Sequence, residues 1–310
     1  MTGPARQRGA AIITAMLVVT LAAVVVSSLF WREHVAVRSV ENRLALAQGR
    51  WIERAVLDWA KVILITDLRS GPAVDHLQEI WAVPVLDTRL DETVTAGAKI
   101  DTAQRNALLA GQIFDAQARF NLTTLAGGNG QPSDLHVNAL RRLLASLGRP
   151  ESVADLIVQR VLQSVPRIVE GRFAPPQRPP MTRVSDLLDV PGVDPASVTA
   201  LEPHAIVLPD FTTINVNTAS AEVLSAAIEQ LDVSGARRFV ARRERTFYRS
   251  IADARTDIDG QPVLQPGLLG VGSRFFLVTG VVRYDRVESQ SETLLRRLND
   301  RVEVEWQLRN

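Results

Sequence analysis

The first nine residues are polar and include Arg6 and Arg8, while the next 22, from Ala10 to Trp31, hold no charge. Only Thr14, Thr20, Ser27 and Ser28 are polar within that run. As an α-helix it measures roughly 33 Å at about 1.5 Å per residue, matching a bilayer hydrocarbon core of roughly 30 Å. Trp31 closes it at interface depth. The basic head favours a cytoplasmic N-terminus, a bias that Arg32 and Arg38 on the far side weaken. Beyond Trp31 the pattern becomes amphipathic. Val40, Leu44, Ala47, Trp51, Ala55, Trp59 and Val62 recur at steps of three and four, with Arg38, Glu41, Arg43, Arg50, Glu53, Arg54 and Lys61 between them. No proline precedes Pro72 in this stretch, and Gly49 is its only glycine before Gly71. One helix over about 10–68 is predicted, ended by Gly71-Pro72, its outer half laying the stripe on a soluble domain with Trp51 and Trp59 as core.

Trp81-Ala-Val-Pro84 predicts an irregular packed segment. Residues 111–123 read as two short strands around a turn near Asp115–Gln117, closed by Gly127-Gly-Asn-Gly130. Ser133 and Ser152 are placed as N-caps of helices ending near Leu147 and Val165. Residues 171–180, with four prolines, predict an extended loop. Strand character returns at Arg274–Tyr284, Val287–Leu298 and the strict alternation of Val302, Val304, Trp306 and Leu308, together an antiparallel meander. The fold class expected is α+β: a long N-terminal membrane-spanning helix, a pilin-like antiparallel sheet, and a large inserted, mostly α-helical domain. The divisions are 1–9 (leader), 10–31 (membrane), 32–124 (first part of the sheet domain), 125–270 (helical insertion) and 271–310 (meander).

The chain of 310 residues is 46% hydrophobic and 22% charged, enough to bury a core and too apolar for disorder. With 35 basic and 34 acidic residues it lacks the excess needed to neutralise many phosphates. Cysteine is absent, which excludes thiol nucleophiles, disulfides and Cys-based zinc sites. The four histidines lie at least 42 residues apart, so no local metal spacing exists. No phosphate loop or nucleophile-elbow motif occurs, and no enzymatic activity is predicted. Asp253, Asp257 and Asp259 before Gly260 form a small acidic cluster that reads as a solvated turn or a calcium site. The arginines between 237 and 245 read as a solvated helix face touching a partner.

Residues 184–201, with Val190-Pro-Gly-Val193 as the hairpin, look like a helix-hairpin-helix. Such a hairpin holds phosphate on backbone N–H groups. Here Asp194 would repel it and Pro195 removes a donor, so the unit is expected to serve packing. Thr218 or Ser220 is expected to cap the helix running to Gln230.

A cleavable secretory signal has an apolar region of about 7–15 residues, which this one exceeds; a plain signal anchor fits the hydropathy. The junction Arg8-Gly9 followed directly by the apolar run resembles the signal of prepilins and pseudopilins. That resemblance implies cleavage by prepilin peptidase between Gly9 and Ala10, with the helix retained. It also implies a glutamate at the fifth mature position, where this chain has Thr14. The exception resembles the minor pseudopilin K family of type II secretion. Asp115 with Arg119-Phe-Asn-Leu122, Ser185-Asp-Leu-Leu188 with Pro191-Gly192, Leu208-Pro209, Ile214-Asn-Val-Asn-Thr-Ala219 and Ser273-Arg-Phe-Phe276 look like its landmarks, in order. The resemblance implies a tip subunit of the pseudopilus in the bacterial inner membrane, single-pass, with its C-terminal domain in the periplasm. Its implied partners are the I and J minor pseudopilins and the inner-membrane secretion platform, met through Val40, Leu44, Ala47 and Trp51. No nucleic acid is expected, and no cofactor beyond a calcium ion. A membrane-anchored DNA-uptake module and an anchored periplasmic enzyme are the alternatives.

Overall fold

The structure is a computed structural model describing residues 8–71, 73–89, 107–128, 130–169, 172–284 and 287–309. Its elements, in chain order, are α1 (Arg8–Ser70), β1 (Val85–Arg89), β2 (Ala107–Asp115), β3 (Phe120–Asn121), α2 (Asp134–Ser146) and α3 (Ser152–Leu162). There follow β4 (Arg167–Val169), β5 (Arg172–Ala174), α4 (Pro195–Leu201), β6 (Ala205–Ile206), β7 (Ile214–Asn215), α5 (Ala221–Ala227) and α6 (Val233–Arg243). The chain closes with α7 (Ile251–Thr256), β8 (Leu269–Gly270), β9 (Phe275–Tyr284), β10 (Val287–Arg297) and β11 (Val302–Arg309).

Apolar and polar patterning yields the expected α+β class. The helix α1 runs unbroken for 63 residues, because between Ala10 and Ser70 nothing stronger than Gly49 interrupts it. Five antiparallel strands in the order β1-β2-β9-β10-β11 form the sheet, with the meander in its predicted place. Strand β9 is buried on both faces, and its two-residue period divides the cores. Phe276 and Val278 meet Leu57, Ala60 and Leu64 of α1, whereas Phe275 and Leu277 meet Ala116, Ile206 and Leu208 on the opposite side. A separate, larger core between Phe120 and Leu269 unites α2–α7.

Several local expectations need correction. The two strands around Asp115 do not pair with each other. Instead β2 joins β1 and β9 in the sheet, the Asp115 carboxylate caps a 3₁₀ turn by accepting from Gln117 N (2.8 Å), and β3 then pairs in parallel with β6. Ser133 stands at its cap position but spends its hydroxyl on His136 Nδ1 (2.8 Å), and Ser152 falls inside α3, whose cap is Glu151. Those helices stop at Ser146 and Leu162; after the first, Gly148 takes the left-handed φ of 68°. A short β4–β5 hairpin occupies the start of the proline-rich segment. Ser220, rather than Thr218, caps α5, which ends at Ala227. Pro72, Asn129 and Gly171 lie outside the described residues, as does most of the leader.

The deepest correction concerns α1. Its buried residues are Ala45, Ile52, Leu57, Ala60 and Leu64. Val40, Leu44, Ala47, Ala55 and Val62 are exposed, and the two tryptophans expected in the core, Trp51 and Trp59, are 70% and 53% exposed. At 100° per residue these sets lie on opposite sides of the helix. Both are apolar at helical spacing, and the line without tryptophan seats the sheet.

A buried polar knot ties the two cores. Asp115 Oδ2 accepts from Thr218 Oγ1 (2.6 Å), Ser273 Oγ (2.7 Å) and Asn215 Nδ2 (2.9 Å). Asn215 Nδ2 also reaches Asp75 O (3.0 Å), and Ser273 N donates to Asp75 Oδ2 (2.7 Å). Arg297, at the end of β10, donates to both Asp75 oxygens (2.5 and 2.7 Å), to Ser273 O (2.8 Å) and to Asp67 Oδ2 (3.0 Å). Its guanidinium also lies over the Phe276 ring, 4.7 Å from the centroid. Removing one partner of such a buried pair strands the other charge at a cost of about 3–5 kcal/mol. Arg297→Met should therefore lower the thermal midpoint of the full chain in detergent by several degrees, and Arg297→Lys should not restore it, since lysine lacks the fork that spans Asp67 and Asp75. An unchanged midpoint in Arg297→Met would remove the knot from the stability of the fold.

Candidate functional site

Two features of α1 carry the functional geometry. The first is the apolar run. From Ala11 to Trp31 every side chain is exposed, and the helix contains an 18-residue window of mean hydropathy 2.5 with none of it buried. Exposed apolar surface on that scale is stable only in lipid. Thr14 donates its hydroxyl to Ala11 O (3.0 Å) and Thr20 to Met16 O (2.9 Å), so these hydroxyls cost little in hydrocarbon. Gly9 and Ala10 lie within the first turns of α1. The second feature is the ridge of Val40, Leu44, Ala47 and Trp51, which continues the same rod outside the membrane and projects away from the sheet.

The hairpin at Val190–Val193 serves packing. Val190 and Val193 are buried, Gly192 adopts a φ of 91°, and a Cβ there would stand 3.0 Å from Leu156 of α3. The following helix start is already filled: Asp194 accepts from Ser197 N (3.0 Å) and Ser197 Oγ (2.5 Å).

Two carboxylates of the acidic cluster near Gly260 are taken by neighbouring side chains. Asp257 meets Tyr248 Oη and Arg242 (3.4 Å), and Asp259 meets Arg238 (3.3 Å), while Asp253 stands at the start of α7. Arg243, expected on a solvated face, is buried and donates to Val216 O (2.6 Å).

Among the described residues, the carboxylates that do converge are Asp67, Asp75 and Glu79, whose oxygens lie within 4.8 Å of one another. Nothing local in the sequence marks them, because their partner, Arg297, is more than 200 residues away. Its guanidinium holds Asp67 and Asp75 and supplies the cationic charge there. Glu79 accepts from His76 N (3.0 Å) and Trp81 Nε1 (2.6 Å). Burial above all, with the neighbouring carboxylates, pushes its carboxyl from 4.5 up to about 7, and burial raises Asp67 as well.

Two family models described as type II secretion system protein K match residues 118–210 and 214–271. Proteins named type II secretion system protein K align along almost the whole chain. The Pseudomonas aeruginosa protein is 29% identical over 96% of this chain and 91% of its own length, and that of Pectobacterium carotovorum 26% identical over 96% and 95%. The chain belongs to the type II secretion system protein K family. A chain from the crystal structure of the GspK-GspI-GspJ complex of the enterotoxigenic Escherichia coli type 2 secretion system shares its fold, with a TM-score of 0.67 at 20% identity over 87% of this chain and 99% of that one.

Protein K family membership makes this a minor pseudopilin, a membrane-anchored structural component of the secretion system. Both family models fall on the helical part, and the one over residues 214–271 includes Asn215 and Thr218 of the knot that joins it to the sheet. The acidic cluster gives this protein K member a pH dependence. Folding raises the Glu79 pKa, so the native state holds the proton more tightly than the unfolded chain. That stabilisation is complete below about pH 4.5 and is lost as pH rises through about 7. Asp115, pushed up to about 6 chiefly by burial, adds a loss of the same sign at lower pH. Glu79→Gln, permanently neutral, should hold a thermal midpoint that declines less than that of the unsubstituted chain between pH 5 and pH 8 (about neutral midrange). Parallel curves for the two proteins would contradict the protonated Glu79.

Proposed function

We propose that this chain is the terminal minor pseudopilin of a type II secretion pseudopilus, held in the bacterial inner membrane with its folded domain in the periplasm. Prepilin peptidase cuts between Gly9 and Ala10 in this reading, and the loss of Arg6 and Arg8 moves the formal charge from +1 to −1. The observation that carries it is the continuity of α1: one unbroken rod passes from an apolar, wholly exposed span into an exposed apolar ridge. An outward-facing ridge on a rod that leaves the membrane suits another rod leaving the same membrane in parallel.

Thr14 supports the terminal place. A carboxylate in hydrocarbon is costly without a paired cation, so it is retained where a neighbour's amine meets it. Thr14 bonds to its own helix instead and offers no charge to a subunit docking by that pair. The helical part, from Phe120 to Leu269, packs its own large core, and in this reading its bulk obstructs further addition. The proposed partners are the I and J minor pseudopilins, met through Val40, Leu44, Ala47 and Trp51; the neighbour of similar fold was solved in a complex with proteins of those designations. The secretion platform would draw the helix from the membrane as the filament grows.

Mass spectrometry of the protein from cells with an active prepilin peptidase should find a chain beginning at Ala10; one that retains Met1 contradicts the reading. Thr14→Glu should leave that cleavage intact while changing filament number or length, and unchanged filaments would remove the account of Thr14.

A further inference from the structure

The two flanks of the exposed ridge differ in chemistry. At 100° per residue, Arg43, Arg50, Arg54 and Lys61 fall along one line beside it. On that flank a groove of about 540 Å³ opens between α1 and the edge strand β11, lined by Arg50, Trp51, Arg54, Leu57 and Val304. On the opposite flank a slot of about 220 Å³ is walled by Trp59, Ile63, Ile80, Trp81 and Val83, all uncharged.

The basic flank lacks acid of its own. Asp58 is taken by Lys61 (3.0 Å), and the buried Glu53 is taken by Gln307 (2.5 Å) and Arg309 (3.0 Å) of β11. Among the described residues, Arg43, Arg50 and Arg54 have no ion pair or hydrogen-bonded side-chain partner. Anionic lipid does not account for them. Arg50 stands 19 residues beyond Trp31, roughly 28 Å along a helix rising about 1.5 Å per residue, whereas headgroups extend only about 5–8 Å past the hydrocarbon.

We infer that the groove between α1 and β11 takes the juxtamembrane helix of a second membrane-anchored pilin-like subunit, an amphipathic helix with carboxylates along one edge. This rests on the proposed assembly role and adds the chemistry that selects the partner. Trp51, Leu57 and Val304 bury that helix's apolar face, and Arg50 and Arg54 pair with its acidic edge. The uncharged slot on the other flank discriminates against the same helix, so one rod presents two distinguishable seats.

The test uses the full chain in detergent with purified I- and J-type minor pseudopilins of the same secretion system. The double variant Arg50→Glu/Arg54→Glu should weaken binding of one of the two about tenfold at low salt and leave the other unchanged. Arg50→Lys/Arg54→Lys should retain binding, and raising salt from about 50 mM to about 500 mM should weaken the affected pair alone. If the unsubstituted chain binds but the charge-reversed one binds both subunits equally well, the acidic-helix inference is overturned while the assembly role stands. If the unsubstituted chain binds neither subunit at any salt, both fall.

Discussion

A single helix must be soluble in hydrocarbon at one end and seated on a β-sheet at the other, with no break between. Everything else follows from that constraint. Proline and charge are kept out of the span, and the sheet lies against a line of Ala45, Ile52, Leu57, Ala60 and Leu64. The bulky Trp51 and Trp59 then project outward. In an isolated protein such a ridge would be a liability for aggregation. On a rod anchored in a membrane with others of its kind, it is the surface by which, in the proposed assembly, rods are gathered.

The second demand is that a sheet carrying the helix on one face carry a large helical body on the other. Apolar packing alone would leave the two cores free to slide, since each is complete in itself. The knot of Asp75, Asp115, Asn215, Ser273 and Arg297 sets their register. Its hydrogen bonds join the loop after α1, the end of β2, β7, the residues before β9 and the end of β10, so a shift of any one of them strands a buried polar group. The head of the molecule is thereby rigidly referred to the rod.

Where order was local, the sequence was readable. The uncharged run of 22 residues, the alternation of Val302, Val304, Trp306 and Leu308, and the ordered landmark motifs pointed to the span, the meander and the family. Phase and pairing were not readable. Two apolar lines half a turn apart compete along α1, and nothing short of the packed sheet decides which is core. Strand β2 finds its neighbour β9 more than 150 residues later, so its true pairing is invisible to a reading of adjacent turns. The acidic triad was missed for the same reason: Asp67, Asp75 and Glu79 look like ordinary loop and helix-end charges until Arg297 arrives.

The central claim is positional: a rod without an acidic docking group, topped by a broad helical head, ends a filament. Gold labelling of the helical head in purified pseudopili tests this most directly. The account requires label at one end of each filament. Label distributed along the shaft would mean that other subunits stack above this one, and the claim would fail.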